Sequence, residues 1–442
     1  MKGRNKKRII NAHVSAVILA CWISMLVSAI IVTYPHEATR LPHNIIPNTI
    51  LMQSAVTSIP SEENTLPGLA LTNDSNIVKW TFIVYIDADD SSLEEQAIAD
   101  FIEMASIGSN ENINIVVQLD RIPGYDDSYG DWTDCRRFLV TEGLTPDDGN
   151  EVMNIGEANM GDPDTLVSFV KWAASNYPSE KYALILSSHG KGWAGCCWDE
   201  TSGDDNLDLS EMQTALKDIS EYIGQPIDVM GFDACLMGMT EVAYEIHDYA
   251  SVMVASEHAE PSSGWPYNDI LSQLNENPDL DAPQLATIVV DSYYTAHTPT
   301  GYTMAAVDLT KIDAVVGSLS NLAQAFMAYA SVEDTQSIKE YASSVTIALD
   351  EAVIYERHGT RWPASHGLAI HFPKIQEEHD SAYNAGTVAL AEDTTWEEFL
   401  NSYLTYASDN WVTEARTESQ EYYSKYHVDL YDFCQHLLNS EP

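Results

Sequence analysis

A succession of short, nearly unbroken apolar runs constrains this chain more than any other feature. Trp80–Ile86 (WTFIVYI), Ile113–Leu119 (INIVVQL), Tyr182–Ser187 (YALILS), Ile227–Gly231 and Ser251–Ala255 (SVMVA) have the length of strands and lack polar alternation. A strand with one face in water alternates, whereas a strand covered on both faces reads as a continuous apolar run. Between the runs, residues 93–107, 165–174, 210–222, 239–247 and 282–294 carry helical spacing. This alternation predicts an α/β fold, an α/β/α sandwich around a mostly parallel sheet. Residues 137–141 suit one arm of a small hairpin, and residues 303–307 and 367–372 (GLAIHF) suit later strands, the latter being the last.

In sheets of this kind, reactive side chains gather just beyond the carboxyl ends of the strands. Two ends stand out. YALILSS runs into His189-Gly190, and IDVMGF runs into Asp233-Ala234-Cys235. On adjacent parallel strands an imidazole and a thiol would emerge at the same edge. A helix N-terminus or a neighbouring imidazole lowers a thiol's pKa and makes it a nucleophile, and a helix is expected from Met239. Gly190 lets the backbone approach a substrate carbonyl, and the amides of Gly190 and Cys235 would form an oxyanion hole. The plain alternative is a cysteine that serves as a small buried hydrophobe.

The residues around these ends are distinctive. Ser187-Ser188-His189-Gly190-Lys191-Gly192-Trp193 and the block from Gly231 to Glu245 (GFDACLMGMTEVAYE) closely resemble motifs of the clostripain-like cysteine peptidases. Tyr85–Asp90 (YIDADD) with Leu93-Glu94, Leu209–Leu216, Val254–Glu257 and Gly264–Tyr267 (GWPY) agree with that resemblance, which is strong over residues 80–267 and weak beyond. It implies a caspase-like fold related to gingipains and hydrolysis of peptide bonds through a thioester. Cys235 would be the nucleophile and His189 the general acid/base. Asp233 would select Arg or Lys at the cleavage site, as a carboxylate beside the thiol pairs with a cation. Its alternative role is to accept backbone N–H bonds at the strand end. Glu257 and Trp265 join the expected substrate-binding set, with His258 beside them by position.

Other residues compete for attention. His366, in Ser365-His366-Gly367, precedes its run and would lie at the opposite sheet edge. Cys196-Cys197 resembles no nucleophile motif. Asp87, Asp89 and Asp90 offer oxygen ligands for Ca²⁺, the one cofactor in view, although Asp after a strand is commonly a helix N-cap. The chemistry itself requires no cofactor. Some relatives mature by cutting after a basic residue between the His and the Cys, where this chain offers only Lys191 and Lys217. Pro266 stands where relatives often carry an acid.

Charge and the chain's beginning bound the setting. Lys and Arg total 21 against 67 Asp and Glu, a net charge of −46. Such a surface repels nucleic acid and anionic membranes; protein or peptide substrates as partners are what the family resemblance implies. Met1–Arg8 holds five cations and precedes an apolar stretch from Val14 to Val32, the pattern of an export signal or signal-anchor. Residues 1–34 are read as that segment, 35–78 as a linker or pro-segment, and 79–442 as a peptidase domain with a C-terminal helical extension. The expected protein is secreted or tethered outside the cytoplasm, and monomeric. Six irregularly spaced cysteines do not make a disulfide scaffold, although Cys135 and Cys434 are a conceivable pair. A non-catalytic binding protein on the same scaffold, or another cysteine hydrolase or transpeptidase, are the competing readings.

Overall fold

Alternate residues of the first apolar run serve two cores. Trp80, Phe82, Val84 and Ile86 pack into one buried cluster, Ile83 and Tyr85 into the other. That is why the run shows no polar alternation: its strand is covered on both faces. The computed structural model describes residues 77–297, 301–332, 335–375, 379–406, 411–419 and 427–440. The chain divides into two units, residues 1–71 and 72–442, and the first lies wholly outside the described residues. The expected export segment and most of the expected linker therefore also lie outside them. Among the described residues, no helix is long and apolar enough to cross a membrane.

The strands are β1 (Val78–Ala88), β2 (Ile113–Arg121), β3 (Cys135–Leu139), β4 (Met153–Gly156), β5 (Ser179–Ser187), β6 (Cys196–Asp199), β7 (Asp205–Leu207), β8 (Ile227–Asp233), β9 (Ala250–Ala255), β10 (Thr303–Asp308), β11 (Val353–His358), β12 (Ala369–His371) and β13 (His427–Asp429). Nine of them form one sheet in the order β11-β10-β9-β8-β5-β1-β2-β3-β4. The five central strands, β9 to β2 in that order, are mutually parallel, and antiparallel pairs finish both edges. Helices α1 (Glu94–Ala105), α2 (Pro163–Asn176), α3 (Leu209–Ile223), α4 (Thr240–Ile246), α5 (Tyr267–Glu276), α6 (Ala282–Ala296), α7 (Ile312–Val332) and α8 (Thr335–Ala352) connect them, and α9 (Ala389–Asp393), α10 (Trp396–Tyr406), α11 (Trp411–Ser419) and α12 (Leu430–Asn439) follow. One core holds Phe101, Ile270 and Val289 from α1, α5 and α6. The other holds Phe169, Met212, Val242, Val315 and Val345 from α2, α3, α4, α7 and α8, together with Trp396 and Phe433. The result is the expected α/β/α sandwich.

Two expectations need correction. The GLAIHF run is not a strand of the main sheet, nor the last strand. Its residues Ala369–His371 pair antiparallel with β13, in a separate two-stranded sheet. Ile370 and Phe372 are buried in the core shared with the C-terminal helices, so burial explains the apolar run without membership of the large sheet. The last strand beside β10 is β11, whose sequence VIYERH reads as amphipathic because it lies at the sheet edge and is half-exposed along its length.

One buried ion pair fixes the helix beside the strand ends. Arg121, at the end of β2, and Glu94, at the start of α1, are almost fully buried, with Nε 2.8 Å from Oε1. The same guanidinium donates to the carbonyls of Asp126, Ser128 and Gly130, and Glu94 Oε2 accepts from the Asp126 amide. Removing one partner of such a pair strands the other charge in low dielectric, at a cost of about 3–5 kcal/mol. Arg121→Met should lower the unfolding free energy by about that much in urea titrations, and Arg121→Met/Glu94→Leu should recover much of the loss. A single variant within measurement error of wild type would contradict this role.

Candidate active site

The β5–β8 register sets two side chains level with each other. Ser187 pairs with Asp233, and two residues further along each strand stand His189 and Cys235. The two backbones nearly touch: a Cβ on Gly190 would lie 2.3 Å from the Cys235 carbonyl oxygen and 3.0 Å from its nitrogen. Only glycine fits there. Beyond Gly190 the chain folds into a bridge made by Lys191 N–H to Gly195 O (3.0 Å) and Cys197 N–H to His189 O (3.1 Å). His189 and Cys235 line one cleft together with Ile86, Leu93, Ala97 and the acids Asp87, Asp100, Asp233 and Glu260.

The imidazole is held from one side. His189 Nε2 lies 3.3 Å from Asp90 Oδ2 and 3.1 Å from Ser92 Oγ, while Ser92 donates its amide and hydroxyl to Asp90 Oδ1. Burial opposes the charged form of Asp90, but the hydrogen bonds from His189 and Ser92 outweigh it and hold the carboxyl well below the usual range. In turn the bond to Asp90 raises the His189 pKa against an opposing effect of burial. With Nε2 engaged in this way, Nδ1 is the free nitrogen.

Cys235 differs from expectation. The chain turns immediately after it, through Leu236 at φ 66°, and α4 starts only at Thr240. Burial pushes the thiol's pKa up, opposed by the Glu260 amide, which donates to Sγ at 3.2 Å, and aided by the charge of Asp233. These surroundings favour the thiol form of Cys235 over the thiolate.

Asp233 accepts at Oδ2 from the Trp265 amide (3.2 Å) and the Tyr267 hydroxyl (2.9 Å). Gly264 packs on the carboxylate so closely that a Cβ would fall 2.8 Å from Oδ2. Burial lifts Asp233 to about 6 despite those donors. Burial and the charge of Asp233 push Asp100 well above the carboxylate range. Glu260 is pushed up by burial, Asp233 and Cys235, and the nearby Tyr293 hydroxyl tempers this without closing a hydrogen bond. Asp100 and Glu260 were not singled out in the sequence. Asp100 carries a face of α1 that only the fold aims at the cleft, and Glu260 sits in a loop with no periodicity.

The remaining expected residues go elsewhere. Glu257 does not line the cleft: it is buried, accepts from Ser365 Oγ and lies beside Asp429. His258 stacks on Trp362 at 3.7 Å. The Trp265 ring is buried in the core, and only its amide serves the site. His366 stacks on Tyr431 in a separate groove beside β11. Cys196 and Cys197 are buried free thiols with Sγ atoms 3.8 Å apart, and Cys135 and Cys434 are also free. The three aspartates proposed for Ca²⁺ do not converge. Asp87 accepts from Ser188 Oγ, Asp90 holds His189, and Asp89 instead lies with Glu157 and Asp199.

Residues 84–441 match the sequence model of Peptidase_C11, the clostripain family. The chain belongs to the clostripain family. It is 31% identical over 231 residues to clostripain of Hathewaya histolytica, a match that covers 46% of this chain and 43% of that relative. Its fold is similar to that of a secreted C11 cysteine protease from Bacteroides thetaiotaomicron solved with an irreversible peptide inhibitor, with a TM-score of 0.54 at 17% identity over 74% of this chain and 98% of that one. An inactive zymogen C11 protease from Parabacteroides distasonis gives 0.53 at 17% identity, over 73% and 98%. At such identities the structures establish a shared caspase-like fold.

The thiol's surroundings predict how a clostripain-family chain with this site reacts. Iodoacetamide applied to the native protein should modify Cys235 first among the five described cysteines, the other four being buried. The rate should climb with pH through a value above that of an ordinary cysteine, because the thiolate appears only there. A rate already flat below pH ~8 would show a preformed thiolate and contradict the assignment.

Proposed function

We propose that this chain is a cysteine endopeptidase that cleaves after Arg or Lys, with Cys235 as nucleophile and His189 as general acid/base. The observation that carries the proposal is the register that sets these two residues level, at the mouth of a cleft lined by carboxylates. The substrate carbonyl carbon is attacked by Sγ as the thiol proton passes to His189 Nδ1. The amides of Gly190 and Cys235 face the developing oxyanion. Collapse of the tetrahedral intermediate breaks the C–N bond, and the imidazolium returns its proton to the leaving amine. Water, deprotonated by the same imidazole, then hydrolyses the thioester and regenerates the thiol. Asp90 and Ser92 orient the ring and stabilise its cationic form, the role of the third member of a triad. No cofactor enters these steps.

Specificity follows from the cleft. Leu93, Ala97 and Ile86 offer an apolar wall for an alkyl stem, and Asp233, with Asp100 and Glu260 nearby, offers charge for its cationic head. Three acids crowded out of water hold protons too tightly, and a guanidinium or ammonium relieves that repulsion. Pro266, where relatives often carry an acid, is offset here by Asp100 and Glu260. Residues 79–442 would form the peptidase domain, and the basic and apolar start of the chain supports export.

Cys235→Ala should abolish hydrolysis of an arginyl peptide, whereas Cys197→Ala should retain it. Asp233→Asn should lower kcat/KM for Arg substrates by about 10- to 100-fold, the worth of one charge-assisted hydrogen bond. Full activity in the Cys235 variant would refute the mechanism, and unchanged Arg preference in the Asp233 variant would refute the pocket.

The pH profile offers a second check. A base form appears only above its pKa, so activity should rise through a limb lying above the ordinary imidazole value of 6.5. Asp90→Asn removes the carboxylate that raises His189 and should move that limb to lower pH while lowering kcat. A limb unmoved by the substitution would remove Asp90 from the mechanism.

A further inference from the structure

The loop that carries Cys235 is held between two segments far apart in the chain. On one side runs the exit of β9: the Leu236 amide donates to the His258 carbonyl at 3.0 Å and the Gly238 amide to the Ser256 carbonyl at 2.8 Å. The donor to Cys235 Sγ, the Glu260 amide, belongs to the same segment. The contact is close, since a Cβ on Gly238 would fall 2.7 Å from the Glu257 nitrogen. On the other side stands β12. The Ala369 amide donates to the Gly238 carbonyl at 2.9 Å, and the Ala369 carbonyl accepts from Thr240 Oγ1 at 3.1 Å. Ala369 is in turn the register partner of Asp429 on β13.

Glu257 and Asp429 close this clasp. Both side chains are buried, as is Ser365. Ser365 Oγ donates to Glu257 Oε2, and the next amide along, that of His366, donates to Asp429 Oδ2 at 2.8 Å. The Asp432 amide donates to Asp429 Oδ1 at 2.6 Å. The two carboxyl groups also hydrogen-bond to each other. Ionised carboxylates only accept, so this contact requires a proton on one of the two. Burial and the neighbouring Glu257 hold the Asp429 carboxyl well above its ordinary range. Nearby groups bring little counter-charge. Burial drives His258 down to about 3 and His427 down to about 4, which leaves both neutral. His358 is made more basic chiefly by Glu356, to which it bonds at 2.8 Å, and further by Glu257. The His366 ring stacks on Tyr431, and burial pushes the Cys434 thiol up.

We propose that Glu257 and Asp429 form a proton-sharing carboxyl pair that clasps the loop of Cys235, and that loss of the shared proton opens the clasp. Neither residue touches substrate. Both are positioning residues, which act through the segment that gives Cys235 its hydrogen bond from the Glu260 amide. When the proton passes to solvent, two like charges face each other in a dry site and drive the β9 exit away from β13. The catalytic consequence rests on the peptidase reading, whereas the pair itself does not.

Thermal unfolding of the full chain carrying Cys235→Ala, over about pH 5 to 9, tests the pair without peptidase activity. A carboxyl that keeps its proton when folded but sheds it near pH ~4 when unfolded loses stability as pH rises, until the folded pair also ionises. Tm should therefore fall with pH. Adding Glu257→Gln, whose amide donates to Asp429 without titrating, should make the fall smaller by at least about 2 °C. Glu111→Gln, at an exposed acid elsewhere, should leave the fall unchanged. With Cys235 intact, Glu257→Ala should lower kcat on an arginyl peptide by about 10- to 100-fold with little change in KM. Glu257→Gln should restore kcat and extend it to higher pH. Parallel Tm curves for Glu257→Gln and its parent would overturn the pair. An equal alkaline loss of kcat in Glu257→Gln and wild type would overturn its positioning role. Inactivity of the wild-type chain on every peptide would refute the peptidase reading instead, with the Tm comparison still deciding the pair.

Discussion

The parallel pairing of β5 with β8 is the constraint on which the rest of the site depends. With Ser187 level with Asp233, chain geometry alone sets His189 and Cys235 side by side, although 46 positions separate them in the sequence. Slipping the register by one residue would turn every side chain of one strand to the other face. The register is pinned because both faces of both strands are buried. Ala183 and Ile185 pack in one core, Leu184 and Leu186 in the other, so no slipped arrangement buries the same surface. Gly190 then allows the two strand exits to meet without a gap.

Electrostatics divides the two strand exits into opposite tasks. On the imidazole side, Asp90 stays ionised and makes His189 more basic. On the thiol side, burial and the charge of Asp233 push the pKa of Cys235 up. The two shifts do not produce a resting ion pair. They favour a thiol beside a strengthened base, which fits deprotonation on substrate binding under the proposed mechanism. A cationic side chain entering beside Asp233 cancels part of the charge that disfavours the thiolate. Under the proposed specificity, recognition and activation would share this one carboxylate.

Much of the fold was legible because its strands are buried on both faces and its helices are amphipathic. These are the patterns a single sequence shows best. The edges were less legible. β11 reads as VIYERH because an edge strand need not be apolar, and the GLAIHF run was misplaced because burial against C-terminal helices looks the same as burial in the sheet. At the site, the strand-end positions of His189 and Cys235 followed from topology. Asp100 and Glu260 did not, since their convergence on the cleft depends on helix placement and loop path. Glu257 was misjudged for a related reason: it follows a strand as expected, but the chain there turns its carboxylate toward Ser365 and Asp429. The aspartates at the end of β1 and just beyond it show the limit most clearly. Three residues close in sequence separate into three different environments, and the acids that do gather come from three separate segments.

A thiol and an imidazole brought level by strand register would work above a pocket that selects a cation. Irreversible alkylation of the reactive thiol by substrate-like ketones is the decisive test. The protein would be treated with matched peptidyl acyloxymethyl ketones ending in Arg, Lys or Asp, and the labelled peptide sequenced by mass spectrometry. One adduct is expected, on Cys235, formed rapidly with the Arg or Lys reagent and far more slowly with the Asp reagent. Labelling at another cysteine, or equal rates with all three reagents, would contradict it.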